Sequence, residues 1–256
     1  MRLGFVGAGT IARAIVEGVM SSSLRPESIV ISRRNEDIAQ QLAAKYEQVH
    51  IGSTNQAVVD DSDMVFIAVR PQVVEQVLHE LTFRQGQHVV SLVATLSAEK
   101  LRGWLGEGVC ITQAVPLPFV ENRQSVTAVF PPNAEVMSFF DALGTAVAVH
   151  SKAEFDLMGV ASALMGLYFG LMEGVTDWLS DKGLPPEISR HYVVSLFASL
   201  SETATKSSDR PLSALRREYS TLGGINEQLF RDFSEMGGLV ALKAALEKIH
   251  QRISGD

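Results

Sequence analysis

The 256-residue sequence contains a single cysteine, few aromatic residues (7%) and no excess of basic over acidic side chains. One cysteine excludes a disulfide within the chain and is compatible with a reducing compartment. That residue, Cys110, lies between Val109 and Ile111, so we expect it to be buried as a small apolar side chain. The net charge of −7 argues against a surface for nucleic acid or anionic membrane, because both bind clustered lysine and arginine.

The sequence also lacks a long apolar run and a metal-ligand motif. The apolar start at residues 3–6 is too short for a signal peptide and leads directly into a glycine turn. The uncharged stretch 157–172 is shorter than the roughly 20 residues of a membrane span, so we expect a buried helix there. The six histidines are scattered, and no metal site is indicated. We expect a cytoplasmic protein without membrane or nucleic-acid partners.

What the sequence does contain is two contrasting halves. Up to residue 150, short β-branched runs alternate with helical patterns, which predicts βα units on a mostly parallel sheet. The apolar run at 65–69 suits a sheet that is covered on both faces. From residue 151 to residue 256, helical spacing dominates. We therefore predict an α/β domain with a Rossmann-type, doubly wound sheet (residues 1–150) and an all-helical domain (residues 151–256).

The helical half begins with an apolar pattern over residues 154–182, which predicts one long helix. Gly166, Gly170 and Gly174 recur along it every four residues, a spacing that lets another backbone approach closely. Packing within the chain would account for this pattern, but we favour subunit pairing because the domain is small. Glu173 and Asp177 lie one helical turn apart, and a solvated or interface-facing pair is a better interpretation than an acid/base pair.

Residues 7–12 (GAGTIA) fit the dinucleotide-binding pattern G-x-G-x-x-[GA] between a strand and a helix. Gly7 permits the tight turn, and Gly9 lets the backbone approach a pyrophosphate. Ala12 permits close packing of the helix on the strand. The helix begins at Thr10 and Ile11, whose N–H groups offer donors and positive potential to a phosphate. This segment predicts a nucleotide cofactor.

The second predicted strand ends in Ser32, Arg33 and Arg34, 20 residues after Ala12. Proteins that bind NAD usually place a carboxylate here to hold the ribose 2′-hydroxyl. A carboxylate would repel a 2′-phosphate, whereas guanidinium groups bind one through paired hydrogen bonds. A solvated turn that merely contains two arginines is the alternative. The sequence therefore predicts NADP rather than NAD.

A second glycine pair stands at residues 220–227 (STLGGINE), ahead of a predicted helix at 227–235. Gly223 and Gly224 leave backbone amides exposed at a helix start, a place suited to a carboxylate. Asn226 or the neighbouring hydroxyl residues could instead cap the helix, and both roles can coexist.

The order of these motifs resembles the pyrroline-5-carboxylate reductase family over essentially the full length. Residues 5–12 (FVGAGTIA) look like that family's FIGAGNMA, and residues 63–72 (DMVFIAVRPQ) look like its DvvilaVKPQ. Residues 91–94 (SLVA) match its SiaAG strand, and residues 183–185 its inter-helix GLP. The resemblance implies further cofactor contacts from the following residues: Asn55, Ala68, Val69, Arg70 and Pro71.

The same resemblance implies the reaction and the assembly. The expected activity is NADPH-dependent reduction of a small cyclic imino acid, by default pyrroline-5-carboxylate to proline, with hydride transfer to the C=N carbon. The expected assembly is a homodimer, or a set of dimers, joined through the helical domain. The active site would then lie between one subunit's cofactor and its partner's helices.

This chain departs from the family where substrate is expected to bind. The family's MPN-T-P appears as VPLP (115–118), its SGSGPAY as SALMGLY (162–168), and its SPGGTT as TLGGIN (221–226). We expect Thr221 and Asn226 to orient the imine nitrogen, since an amide both donates and accepts. The expected substrate contacts are Ser162, Gly223, Gly224 and Ile225. Reduction of another imine or a keto acid, or a non-catalytic NADPH sensor, remain alternatives.

Overall fold

The computed structural model describes residues 1–254. Its contacts divide the chain into two compact units. The first comprises Met1–Gly159 together with the last residues from Ile253, and the second comprises Val160–Arg252. The division follows Gly159, inside the helix that comes after the predicted boundary at residue 150.

The first unit is built on one eight-stranded sheet. The strands are β1 (Arg2–Val6), β2 (Ser28–Ile31), β3 (Val49–Ile51), β4 (Met64–Ile67), β5 (His88–Ser91), β6 (Cys110–Val115), β7 (Ser125–Phe130) and β8 (Gly144–Ala148). Their order is β3-β2-β1-β4-β5-β6-β7-β8, and every neighbouring pair is parallel except β6 and β7. The predicted Rossmann-type fold is confirmed, although β3 and β8 were not predicted.

Helices follow most strands of the first unit and make up the second. The first series is α1 (Thr10–Ser21), α2 (Glu36–Lys45), α3 (Asn55–Asp60), α4 (Val74–His79), α5 (Ala98–Leu105), α6 (Ala134–Asp141) and α7 (Lys152–Ser162). The second series is α8 (Leu164–Asp181), α9 (Pro186–Lys206), α10 (Leu212–Glu218), α11 (Ile225–Glu235) and α12 (Gly238–Ser254). Short 3-10 turns occur at Pro71–Val73 and Pro118–Asn122.

Apolar side chains cover both faces of the sheet, as the unbroken apolar strands predicted. On one face, α1, α2 and α6 pack over a cluster in which Phe5 stacks on Phe66 with ring centroids 4.7 Å apart. On the other face, α3, α4 and α5 cover a second cluster that includes Val65 and Ile67. A sheet buried on both sides holds its strand ends in fixed positions, which is what a binding site at those ends requires.

Hydrogen-bonded ion pairs link separate segments of the first unit. The Arg2 guanidinium and backbone N–H both donate to Asp63, which joins the start of β1 to the start of β4 and holds the pKa of Asp63 below its usual range. Glu17 on α1 accepts from Lys45 and Tyr46 at the end of α2. Burial opposes ionisation of Glu17, but these hydrogen bonds outweigh it and lower the pKa of that carboxyl.

Two expectations from the sequence were wrong. Cys110 is exposed, because it is the first residue of β6, where β5 pairs with the strand but β7 does not reach it. The predicted helix over 154–182 is two helices, with a turn at Ala163 between α7 and α8. The turn forms although residues 162–168 contain no Gly-Pro pair.

The apolar helix α8 is also not buried within the chain. Phe169 and Trp178 are 59% and 60% exposed. The stretch Lys152–Asp181 is long and apolar enough to cross a membrane, with a mean hydropathy of 1.5, yet only 22% of its most apolar window is buried. Glu173 and Asp177 would carry charge into lipid, which is costly. Packing against protein fits this helix better.

Candidate active site

The first strand ends in a glycine turn at the centre of the sheet. Because β1 lies between β2 and β4, the chain runs outward in opposite directions on its two sides, and a crevice opens at the carboxyl ends of these strands. Gly7 has φ +110°, and a Cβ at this position would lie 2.5 Å from the carbonyl oxygen of Ala68. Only glycine therefore fits at residue 7.

Gly9 is glycine for a different reason. A Cβ built there meets no atom within 4 Å, so nothing in the chain requires its absence. Gly9 is the N-cap of α1 and offers no side chain to the first amides of the helix, and the first turn contains no acidic residue. The N–H groups of Thr10 and Ile11 have no acceptor within the helix. The open space at Gly9 thus suits a phosphate.

A cleft of about 430 Å³ opens from this turn. It brings together half of the residues that the sequence assigned to the cofactor: Gly7, Gly9, Arg34, Ala68, Val69 and Arg70. Pro71 begins the 3-10 turn whose last residue, Val73, also lines the cleft. Asn55 does not line it and instead begins α3.

The residues at the end of β2 that were predicted to contact the cofactor have different positions in the structure. Ser32 is buried, and its Oγ accepts the Gly7 N–H at 2.7 Å, so this side chain holds the glycine turn from behind. Arg34 lines the cleft, whereas Arg33 is exposed with its Nε 3.8 Å from Glu36 Oε1. Glu36 and Asp37, in the first turn of α2, line the same cleft.

In the second unit, the glycine loop does not present its amides as expected. The Gly223 N–H donates to Glu227 Oε2 at 2.6 Å, and the Gly224 N–H donates to the carbonyl oxygen of Thr221 at 2.8 Å. Both amides that were predicted to hold a carboxylate are therefore bonded within the chain. The N–H of Ile225, at the first position of α11, has no acceptor within the helix.

Asn226 is fixed in one orientation. Its Nδ2 donates to the carbonyl oxygen of Tyr219 at 2.8 Å, and an amide oxygen could not make that bond. The side chain therefore offers its Oδ1, an acceptor, to an approaching ligand. A hydrogen-bond acceptor can bind a protonated imine, because the protonated imine nitrogen carries an N–H donor. Thr221 lies exposed in the same loop, and Ser162 is the half-buried last residue of α7.

Comparison with known proteins supports the motif resemblance. Residues 2–95 match the profile of a family described as NADP oxidoreductase, coenzyme F420-dependent. Pyrroline-5-carboxylate reductase of Pseudomonas aeruginosa is 24% identical over an alignment 262 residues long. The alignment covers 98% of this chain and 95% of that one. The chain is similar to pyrroline-5-carboxylate reductases from end to end. The resemblance inferred from the motifs is therefore confirmed.

The fold is also that of these reductases. The enzyme from Streptococcus pyogenes superposes with a TM-score of 0.87 at 21% identity, covering 100% of this chain and 99% of that one. The pyrroline carboxylate reductase of Plasmodium falciparum, solved with NADP bound, superposes with a TM-score of 0.85 at 19% identity and covers 100% and 97%.

Glu173 and Asp177 line a groove of about 550 Å³ between α8 and α9. Arg190 lines it too, together with Tyr168 and Phe169. A nearby guanidinium and two aromatic rings suit a surface that packs against protein. Within residues 1–254, no group of three or more His, Cys, Asp or Glu side chains is placed to hold a metal ion.

The carboxylates next to the two glycine loops were not predicted as site residues. Glu36 and Asp37 border the cofactor cleft, and Glu227 is bonded to Gly223. All three lie in the first turn of a helix, where acidic residues commonly stabilise the amino end. The sequence pattern therefore indicates helix capping for all three, and only the fold places them beside a candidate site.

Proposed function

We propose that this protein is an NADPH-dependent reductase of a small cyclic imino acid, with pyrroline-5-carboxylate as substrate and proline as product. The observation that carries the proposal is the glycine turn at the centre of the sheet. Gly7 is required by the approach of Ala68, while Gly9 leaves open space in front of the α1 amides. This site lies in a chain that is similar to pyrroline-5-carboxylate reductases over 98% of its length.

The residues of the first unit fit the parts of NADP. The N–H groups of Thr10 and Ile11 would bind the pyrophosphate, and Arg34 would bind the 2′-phosphate. The loop Ala68–Arg70 would form a wall beside the nicotinamide. When bound, the cofactor supplies the hydride for the C=N carbon.

The substrate would be held by the loop of the second unit. Asn226 Oδ1 would accept from the protonated imine nitrogen, which orients the C=N bond without a strong general acid. The Ile225 N–H would donate to the substrate carboxylate. Thr221 and Ser162 remain candidates for further polar contacts.

A homodimer in the cytoplasm completes the proposal. The exposed apolar side chains of α8, among them Leu167, Phe169 and Trp178, would be covered by a second copy of the chain. Cβ atoms built at Gly166, Gly170 and Gly174 meet nothing within 4 Å. Packing inside this chain therefore does not explain the glycine spacing, whereas close approach of a partner helix would.

The test follows NADPH absorbance with pyrroline-5-carboxylate at neutral pH, alongside NADH and a panel of other cyclic imines and keto acids. We expect turnover with pyrroline-5-carboxylate and a preference for NADPH. NADPH binding by fluorescence without turnover of pyrroline-5-carboxylate would overturn this substrate. Turnover of a panel member alone would move the assignment to that compound, and no turnover of any would favour a sensor.

A further inference from the structure

A groove of about 540 Å³ opens between α10 and α11, beside the glycine loop of the second unit. Ser220 and Glu227, which lie at the two ends of that loop, both line the groove. The other lining residues are Arg216, Arg217, Phe230, Arg231, Ser234 and Glu235. Three guanidinium groups and two carboxylates therefore lie next to the loop that is proposed to hold the substrate.

On α11, the charges that line this groove balance one another. Arg231 lies four residues after Glu227 and four before Glu235, a spacing that places all three side chains on one face of the helix. The Arg231 guanidinium also pairs with Asp232 at 3.0 Å. Helix α11 therefore adds no uncompensated positive charge to the groove.

On α10, two arginines keep an uncompensated charge. The neighbouring Glu218 pairs with Arg210. Within residues 1–254, neither Arg216 nor Arg217 forms an ion pair or donates a side-chain hydrogen bond. Arg216 Cζ lies over the Phe230 ring, 4.3 Å from its centroid. A guanidinium held on an aromatic face keeps the N–H groups at its edge available to an anion.

We propose that Arg216 binds the carboxylate of the imino acid substrate. This inference rests on the proposed function. A guanidinium donates two parallel hydrogen bonds to a carboxylate, which gives orientation as well as affinity. The Gly223 and Gly224 N–H groups are bonded within the chain and do not supply this contact. The Ile225 N–H can donate one hydrogen bond, but it carries no full positive charge, and Arg216 supplies that charge.

This contact would decide which class of substrate the enzyme prefers. A cyclic imine without a carboxylate, such as 1-pyrroline, gains nothing from Arg216, and its protonated form is repelled by the guanidinium. Pyrroline-5-carboxylate carries the negative charge that the groove attracts. Arg217 adds positive charge to the same groove, but no contact fixes its side chain, so it should contribute less.

Two substitutions at residue 216 separate charge from geometry. Arg216→Gln removes the charge, whereas Arg216→Lys keeps the charge and loses the planar pair of donors. Arg231→Gln is the matched control, because Arg231 lines the same groove and its charge is already compensated on α11. Both arginines are exposed, so all three variants should have the melting temperature of the wild type.

The experiment measures kcat and KM for pyrroline-5-carboxylate and 1-pyrroline at saturating NADPH. We expect Arg216→Gln to raise KM for pyrroline-5-carboxylate about tenfold, without lowering kcat and without raising KM for 1-pyrroline. Arg216→Lys should fall between this variant and the wild type, and Arg231→Gln should behave as the wild type does. An unchanged KM in Arg216→Gln, an equal rise for both substrates, or an equal rise in Arg231→Gln would overturn the role of Arg216.

Binding of the products distinguishes this failure from failure of the proposed function. Calorimetric titration with L-proline and pyrrolidine, in the presence of NADP, does not depend on turnover. We expect Arg216→Gln to weaken L-proline about tenfold and to leave pyrrolidine no weaker. Turnover of pyrroline-5-carboxylate with the same KM and the same L-proline affinity in every variant would overturn only the role of Arg216. Absence of both turnover and L-proline binding in the wild type would overturn the two proposals together.

Discussion

In the first unit, Phe5, Phe66 and Phe140 are completely shielded from solvent, whereas in the second Phe169 and Trp178 are 59% and 60% exposed. Helices α11 and α12 contain no buried residue at all within residues 1–254. The first unit thus buries its apolar side chains on its own sheet, and the second leaves its apolar side chains in contact with water. Exposed apolar surface of this kind marks an interaction site.

The two glycine loops differ in a parallel way. At Gly9 the amides of the following helix face open space, with no side chain from the chain to bond them. At Gly223 and Gly224 the amides are bonded to Glu227 and Thr221. The same sequence feature, glycine before a helix, therefore leaves an open helix start in one unit and a loop with bonded amides in the other. Four experiments test this comparison.

Gly7→Ala should have the largest effect. An alanine here would be strained at φ +110°, and its Cβ would overlap the Ala68 carbonyl oxygen, which lies 2.5 Å away. We expect the free energy of unfolding to fall by about 3 kcal/mol or more. Gly9→Ala, in open space, should leave the melting temperature unchanged and raise the Kd for NADPH. Thermal melts and fluorescence titration measure both. Equal melting temperatures for Gly7→Ala and Gly9→Ala would contradict the difference in space around these two glycines.

Phe169→Glu should break the association of the second unit. An aromatic side chain at the centre of an interface contributes about 2 kcal/mol or more, so dimer affinity should fall roughly 30-fold. Val126→Lys is the control, because Val126 on β7 is 52% exposed in the first unit. Sedimentation velocity over a concentration series measures both. A variant that associates as the wild type does would mean that α8 is not the dimer surface.

Arg34→Ala should weaken NADPH more than NADH. Losing a charge-assisted hydrogen bond costs about 1.5 kcal/mol, which is roughly a tenfold increase in Kd for NADPH. Arg33→Ala should have a smaller effect, because that side chain is exposed and lies 3.8 Å from Glu36. Titrations with NADPH and NADH measure the two Kd values. An equal loss of affinity for NADH would contradict a contact between Arg34 and the 2′-phosphate.

Asp63→Asn should give the smallest effect, because its ion pair with Arg2 lies near the surface. The Arg2 hydrogen bonds hold the pKa of Asp63 below its ordinary value of 3.8. The pair therefore stabilises fully above that value and loses its contribution as pH falls through the lower, folded-state pKa. In urea unfolding, Asp63→Asn should lower the free energy of unfolding by less than about 1 kcal/mol at neutral pH. The difference between variant and wild type should become smaller at acid pH. A difference that widens with acid would contradict this sign.

Local sequence determined the glycine turn, the parallel strands and the helical second half. Each depends on a short pattern: the steric freedom of Gly7, the apolar run of β4, and the repeated apolar spacing after residue 151. These features depend on neighbours along the chain, and so the fold class and the cofactor turn could be predicted without coordinates. The strand β3 was not predicted, because its three residues are too few to show a period.

Tertiary structure alone decided which groups at the two sites are available. Ser32 was predicted to contact the cofactor, yet its hydroxyl holds Gly7, because β2 lies directly beside β1. Gly223 was predicted to hold a carboxylate, yet Glu227 turns back to occupy its amide. Hydrogen bonds are saturable, so an amide's use depends on which acceptor the fold brings to it first, and no pattern of residue types specifies that choice.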